Sequence, residues 1–449
     1  MPTHQIPSAS FALLRRLSDE LDLDLDADAV LATSSDRTAV PLPSCLAVGE
    51  LAWASVLTAG AALSRGPLLG PAPRLIAAAY RSDRHLRVDG AAPSVWSPLS
   101  RFWPTADGWV RTHGNYPHHE RALRQGLDIA AGSPPEEIGA RLAGLASDIA
   151  AARVSTAGGL CVAVRHEQPE VDASLREDPL VTISRKGDAS RRELLEDPRA
   201  PLLGVRVLDL TRVIAGPVAT RTLALAGAEV LRIDSPRRPE LAWQHLDTGH
   251  GKRSALLDIT ADPARFEELL ALADTVVLGY RPDALRRLGL SPDALTQRHP
   301  HLVVAQLSAW PGDDSRRGFD SLVQADSGIS WIESSDGLTP GALPAQALDH
   351  SAGYLLAAGI ATALRRRAAD GGSWHVRISL RRVAAELLGM PRQNLTGTSP
   401  DEARSQTFEI EGYTVTTVVP AVTWPQSPDV FPAPRPWGRD QAEWLPRPA

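Results

Sequence analysis

With 449 residues the chain is too long for one ordinary domain and fits two or three. Hydrophobic residues make up 43% and charged ones 22%, the balance of a soluble globular protein with enough apolar material for a core. A formal net charge of -6 gives no reason to expect nucleic acid or an anionic membrane as a partner, so any anion binding must be local.

The N-terminal residues Met1-Pro2-Thr3-His4-Gln5 lack a basic region followed by an apolar core, which argues against secretion. Residues 1 to about 45 read as a polar lead with one short amphipathic helix around Phe11 to Leu23. Leu46 to Leu63 is Ala-rich and helical in pattern, and with Glu50 inside it falls short of a membrane span. A cytoplasmic location is expected. Cys45 and Cys161 are the only cysteines, which excludes a disulfide framework and a thiolate metal cluster. Trp103, the turn Asp107-Gly108 and Trp109 suggest strand, turn and strand, and Pro135 to Ala152 reads as an amphipathic helix. His113, His118, His119 and Glu120 gather in one short segment, but no pair has the separation of a zinc-ligand pattern, so a polar loop and no metal are expected.

Pro201 to Asp234 is the most informative stretch. Val205, Val207, Leu208 and Leu210 form a short apolar run of the buried parallel-strand type. Gly216-Pro217 opens a helix, Gly227 closes it, and Val230, Leu231 and Ile233 form a second run. The helix N-terminus facing out of the Thr211 to Pro217 loop presents unpaired N–H groups and a positive dipole end, a natural place for an anion. Asp234 stands where a ribose-binding acid would sit, but the loop lacks the G-x-G-x-x-G spacing that brings backbone close to a pyrophosphate, so a dinucleotide enzyme is not expected.

Four further segments follow in order: Gly251-Lys252-Arg253-Ser254 with Leu256-Leu257-Asp258-Ile259; Ala273-Asp274-Thr275-Val276-Val277 leading to Arg281-Pro282 and Leu285-Arg286-Arg287-Leu288-Gly289; Gly318-Phe319-Asp320 with Gln324-Ala325 and Ser327-Gly328; and Asp349 before a small-residue helix, Gly353 to Arg367. In order and spacing, Pro201 to about Leu364 resembles the family III CoA-transferases, the CaiB/BaiF group. The resemblance implies an α/β fold: a Rossmann-like parallel sheet with flanking helices plus a smaller mixed α/β domain. It also implies that ligand enters at the carboxyl ends of the strands, near the Thr211 to Pro217 loop.

The same resemblance makes Asp349 the nucleophile. The family's carboxylate attacks an acyl-CoA thioester, the released CoA thiolate converts the mixed anhydride into an enzyme-bound CoA thioester, and an acceptor acid completes the exchange. Asp349 also sits where a helix cap belongs, and both roles can hold together. His350 reads as a surface residue or a base. For CoA phosphates, Arg287 and Arg317 are the foremost candidates, with Arg237 or Arg238 after the second strand, Lys252 and Arg253 from the K-R-S motif, and Ile214, Ala215 and Gly216 at the helix N-terminus. No cofactor is expected to be bound permanently; CoA and acyl-CoA are substrates, a carboxylic acid is the acceptor, and a homodimer is possible. Two alternatives stay open: an acyl-CoA racemase or isomerase, although Phe319 stands where that group has a histidine, and a non-catalytic CoA-binding subunit.

The expected domains are 1–95, an N-terminal helical region; 96–198, a block like the family's small domain; 199–391, the large domain; and 392–449, a Pro- and Trp-rich arm. In the family the small domain follows the large one, whereas here it precedes it. Leu46 to Leu63 aligns without gaps with Ala347 to Leu364, with Val48 opposite Asp349, so residues 1–95 read as a degenerate partial copy left by a tandem pair. The arm, with Trp424, Trp437 and Trp444 among its prolines, should lie extended across the protein or a partner subunit, the alternative being a disordered tail.

Overall fold

The computed structural model describes residues 8–25, 30, 39–64, 68, 70–393 and 402–447; Met1 to Gln5, read above for secretion, and residues 394–401 of the arm lie outside them. In chain order the strands are β1 (Arg87–Val88), β2 (Phe102–Pro104), β3 (Trp109–Thr112), β4 (Cys161–Ala163), β5 (Thr182–Gly187), β6 (Arg206–Leu210), β7 (Glu229–Asp234), β8 (Lys252–Leu256), β9 (Thr275–Leu278), β10 (Val303–Ser308), β11 (Ser373–Ser379), β12 (Ser405–Ile410) and β13 (Tyr413–Val418). Seven of them form one sheet in the order β5-β11-β10-β9-β6-β7-β8. All its pairings are parallel except β11 with β5. The protein is therefore α/β.

Alternation along these strands divides the core. Val207, Val230, Val277, Val303, Ala305 and Val376 face a large cluster that includes the helices Ser8–Leu21, Val48–Leu63, Ala215–Leu225 and Ala347–Asp370. Leu208, Leu210, Leu231, Ile233, Val276 and Val304 face the other side, against Phe266, Leu269 and Leu295. Both faces are covered, which is why the strands read as near-continuous apolar runs.

The chain leaves β6 through the 215–225 helix to β7 and β8, then returns to the opposite side of β6 as β9. That reversal between β6 and β9 opens a crevice beyond their carboxyl ends, the usual place for a ligand in such sheets. Gly227, with φ of +91°, makes the turn that closes the first βαβ unit, where a Cβ would meet Ala200 at 2.7 Å.

Two smaller sheets flank the large one: β2-β3-β4, over a core of Leu99, Trp103, Val110, Leu123 and Ile138, and β1-β13-β12. The boundary expected at 198/199 does not separate the sheets, because β5 is the antiparallel edge of the large one. The amphipathic pattern from Pro135 to Ala152 resolves into two helices, Pro135–Ala143 and Ser147–Thr156. The two echoing segments pack against each other as helices Val48–Leu63 and Ala347–Asp370, and Arg365 donates to the Ala62 carbonyl.

Beyond β13 the chain crosses the large sheet's β8 edge. Gly438 N–H donates to Ser254 Oγ at 2.9 Å, Ser254 N–H donates to Asp440 Oδ2 at 2.9 Å and Asp440 N–H to the Ser254 carbonyl at 2.8 Å. Each indole finds an acceptor: Trp424 the Pro198 carbonyl at 3.1 Å, Trp437 Asp234 Oδ2 at 2.9 Å and Trp444 the Leu269 carbonyl at 3.0 Å. No described helix is long and apolar enough to cross a membrane.

Candidate active site

The crevice at the β6/β9 reversal is a cavity of about 700 Å³. Its walls carry Asp349, Ala215, Arg237, Arg238 and Arg317 of the expected site residues, together with Tyr116, His118, His119, Arg212, Tyr280 and Arg281.

Asp349 stands in the first turn of the helix Ala347–Asp370, whose cap is Gln346, so Asp349 is not the capping residue. The helix begins before Gly353 because Ala347 and Leu348 are fully buried against the core and continue the same apolar surface. Burial, and then the neighbouring Asp320, push the Asp349 carboxyl well above the ordinary aspartate range, so it rests as the neutral acid. Among the described residues no basic side chain pairs with this carboxyl. Gly353, one turn on, lets this helix approach the 215–225 helix: a Cβ there would lie 2.6 Å from the Ala215 carbonyl oxygen.

The loop after β6 is braced from below. Asp209 Oδ1 accepts Thr211 N–H at 3.0 Å, and Asp209 Oδ2 accepts Lys252 Nζ at 3.2 Å and Thr220 Oγ1 at 2.6 Å. Lys252 also donates to the Pro217 carbonyl at 2.9 Å. Val213 adopts φ of 71°, a strained geometry for a β-branched residue, while its N–H reaches Glu240 Oε2 at 3.3 Å. Burial opposes ionisation of Glu240, but Arg232 and Arg212 hold its carboxyl down at about 2. Arg212 is thus tied to Glu240 and lies over the Tyr116 ring at 4.8 Å. Asp234, placed where a ribose acid would be, is filled by Arg232 at 2.7 Å and by the Trp437 indole.

Among the described residues Arg317 and Arg238 form no ion pair, and both line the cavity; Arg238 also lines the adjoining basic recess with Arg121, Arg237 and His118. Arg237 pairs with Asp258 at 3.0 Å. Burial first, then Arg281 and Arg238, lower the Arg317 guanidinium from its ordinary value, evidence that these cations share one field.

Several expected residues lie elsewhere. Lys252 is buried on Asp209 as described, too deep to meet a phosphate. Arg253 reaches Glu229 at 3.3 Å and the carbonyls of the arm. Arg287 is largely exposed, pairs with Asp283 on its own helix, and is not among the lining residues. Ile214 caps the 215–225 helix and Gly216 packs on Thr211, leaving Ala215 as the member of that trio at the cavity wall.

The histidine segment is not a polar loop. Pro117 starts a helix to Gly126, and buried His113 stacks on Phe319 at 4.3 Å while His119 meets the same ring edge-on at 5.9 Å. Burial, then neighbouring charges, lower His113 to about 3, His118 to about 4 and His119 to about 2, so all three are neutral. No group of three or more possible metal ligands occurs among the described residues. His350, too, is not a surface residue: it is buried, stacked on Tyr80 at 5.1 Å, lowered to about 3 by burial and Arg221, and absent from the cavity wall.

Residues 202–417 match the model of CoA-transferase family III. A probable fatty acyl-CoA transferase of Mycobacterium tuberculosis, Rv3272, is 35% identical over 210 residues, which cover 42% of this chain and 53% of that protein. A cinnamoyl-CoA:phenyllactate CoA-transferase of Clostridium sporogenes is 31% identical over 208 residues, covering 42% of this chain and 50% of that one. A crystal structure of the mycobacterial protein aligns at 35% identity over 42% of this chain and 56% of its own, with a TM-score of 0.40. The chain spans about half the length of these curated relatives. Residues 202–417, just under half of the chain, carry this similarity to CoA-transferase family III.

Proposed function

We propose that this protein transfers CoA between an acyl-CoA and a carboxylic acid, with Asp349 as the group that carries acyl and CoA in turn. One observation carries the reading: within the family-matched segment, Asp349 lines a cavity of about 700 Å³ whose walls also carry Arg237, Arg238, Arg281 and Arg317. Guanidinium groups suit phosphate oxygens, and an unpaired carboxyl in the same cavity suits a thioester delivered by CoA's long arm.

In this reading the Asp349 carboxylate oxygen bonds to the thioester carbonyl carbon, the C–S bond breaks, and CoA leaves as thiolate, giving a mixed anhydride. The thiolate attacks the aspartyl carbonyl, releasing the first acid and leaving an aspartyl CoA thioester. The acceptor carboxylate attacks that thioester and frees the thiolate again. Thiolate attack on the acceptor carbonyl then forms the new acyl-CoA and restores Asp349. CoA is a substrate throughout. A cytoplasmic location and a homodimer fit the resemblance and belong to the same proposal.

A second reading, α-epimerisation of an acyl-CoA, is favoured by one observation: neutral His119 lines the same cavity as Asp349, a base and an acid together despite Phe319. The full chain incubated with a panel of acyl-CoA thioesters and free acids, in heavy water and with hydroxylamine, separates the two. CoA transfer yields new acyl-CoA species and a hydroxamate on Asp349; epimerisation yields deuterium at the α-carbon without a hydroxamate. Neither product from any member of the panel would leave a non-catalytic CoA-binding subunit.

A further inference from the structure

Asp320 is the carboxyl whose charge acts on Asp349, although it does not itself line the cavity. It opens the helix Asp320–Ser327 and is fully buried. Its Oδ2 accepts the backbone N–H of Asp349 at 2.9 Å. Its Oδ1 accepts from Gln324 Nε2 one turn on, and Gln324 Oε1 accepts the Leu343 N–H at 2.9 Å. One carboxylate and one amide therefore tie the 320–327 helix both to the chain entering the 347–370 helix and to the first turn of that helix. The first N–H groups of a helix have no partner within it, and here one of them is satisfied by a charge from another element. The Asp349 carboxyl has no hydrogen-bond or ion-pair partner among the described residues.

We propose that Asp320 is the positioning residue for Asp349: its carboxylate fixes the turn from which Asp349 meets the cavity and, as a second acid beside it, keeps Asp349 neutral until the thioester is bound. The proposal rests on Asp349 being the nucleophile. Two neighbouring buried carboxyls do not both ionise readily. Asp320 accepts two donated hydrogen bonds that favour its anion and Asp349 none, so the shared proton sits on Asp349. Before attack this proton passes to the Asp320 carboxylate, and the freed Asp349 oxygen forms the bond to the acyl carbon; the proton returns when Asp349 is released.

The surrounding groups leave the pair to itself. From the residue after β3 and from the 117–126 helix come neutral His113 and His119, and Arg111 of β3 lies under the Phe102 ring at 4.8 Å. The β4 thiol of Cys161 is pushed up to about 12 by burial. On the helix Leu380–Gly389, Arg381 is paired with Asp172 at 2.6 Å and Arg382 with Glu386 at 2.9 Å. His350 on the nucleophile's own helix is neutral, and Arg317 stands in the cavity wall.

The test uses the full chain with Asp320→Asn and Asp320→Ala. Asparagine retains an oxygen for the Asp349 N–H but removes the charge; alanine removes both. Labelling of Asp349 by a carbodiimide and an amine, followed across pH by peptide mass spectrometry, reads its protonation without needing turnover. The labelling midpoint should fall by at least one pH unit in the asparagine variant, and the acid limb of the CoA-transfer profile should move with it. The alanine variant should lose at least tenfold in kcat while KM for acyl-CoA stays within about threefold, and asparagine should restore most of that loss. An unmoved labelling midpoint in Asp320→Asn overturns the proposal even if alanine fails to fold. A shifted midpoint in a protein that transfers no CoA would instead defeat the nucleophile reading and leave the coupling of the two acids standing.

Discussion

Replacing Gly353 by alanine should cost far more in catalysis than in stability. An ideal Cβ at Gly353 lies 2.6 Å from the Ala215 carbonyl oxygen, 2.8 Å from Val218 Cβ and 2.9 Å from Val218 Cγ1. A carbon normally stays about 3.3 Å or more from a carbonyl oxygen, so the helices Ala347–Asp370 and Ala215–Leu225 must part by roughly 0.7 Å. The obstructing atom is backbone and cannot rotate away. Overpacking of this kind costs ~1–3 kcal/mol, and alanine returns ~1 kcal/mol of helix propensity, for a net loss of about 1 kcal/mol. That corresponds to a fall in Tm of about 2–4 °C in a cooperative unit of roughly 150–250 residues.

The catalytic cost is larger because Gly353 lies one turn from Asp349 and touches Ala215, and both line the cavity. A displacement approaching 1 Å at a reacting group costs roughly 100-fold in rate. Steady-state CoA exchange and thermal unfolding should therefore show kcat down by about two orders of magnitude with Tm nearly kept. Gly359→Ala is the control: its Cβ would meet Val376 Cγ1 at 2.7 Å and Val181 Cγ1 at 2.8 Å, on the same helix but farther from the cavity. It should lower Tm comparably and spare kcat. Equal kcat losses in the two variants would refute the argument, as would unchanged turnover in Gly353→Ala.

For CoA itself, Arg317→Ala should weaken binding by roughly 10- to 150-fold in calorimetry, the range of a charged hydrogen bond of ~1.5–3 kcal/mol, whereas Arg287→Ala should match the parent; the reverse order would move the phosphate site to the exposed helix. Asp349→Asn should raise Tm at pH 8 more than at pH 5. A carboxyl whose folded pKa is raised stabilises the fold below its unfolded value near 4 and loses that contribution as pH rises through the folded one, and Asp320, raised by burial to about 6, adds to the same slope. A pH-independent difference in Tm would contradict that sign. Deleting residues 432–449 should expose the β8 edge and increase light scattering on warming, because Gly438 and Asp440 supply its outer hydrogen bonds. A truncated chain that stays monodisperse would show that the arm does not protect the edge.

What could be read in the sequence was local. Val205 to Ile233 signals strand, helix and strand through spacing within some thirty residues, and β6, the 215–225 helix and β7 form there. Asp349 stood out by its place before small residues that permit close helix packing, and it lines the cavity. What the sequence concealed depends on contacts between distant segments. His113 and His119 looked like loop polarity because their partner, Phe319, is some two hundred residues away, and stacking on that ring is what buries them. Lys252 and Arg253 are adjacent and share one motif, but a strand sends neighbouring side chains to opposite faces: Lys252 points inward to Asp209, and Arg253 outward to the arm.

Asp320 illustrates the same limit within the site. The aspartate of Gly318-Phe319-Asp320 could be matched to a family pattern, but its chemical meaning is a hydrogen bond to a backbone 29 residues later. A carboxylate serving as the acceptor for another carboxylate's turn leaves no periodicity, charge run or spacing to detect. Its consequence is nonetheless large: with burial already favouring the neutral acid, a second buried carboxyl decides which of the two holds the proton, and so when Asp349 becomes available as an anion. An active-site aspartate read as ionised from its helix position alone would have the wrong resting state, because the favourable dipole of a helix start, ~0.3–1 kcal/mol, is small beside the cost of burying a second negative charge next to it.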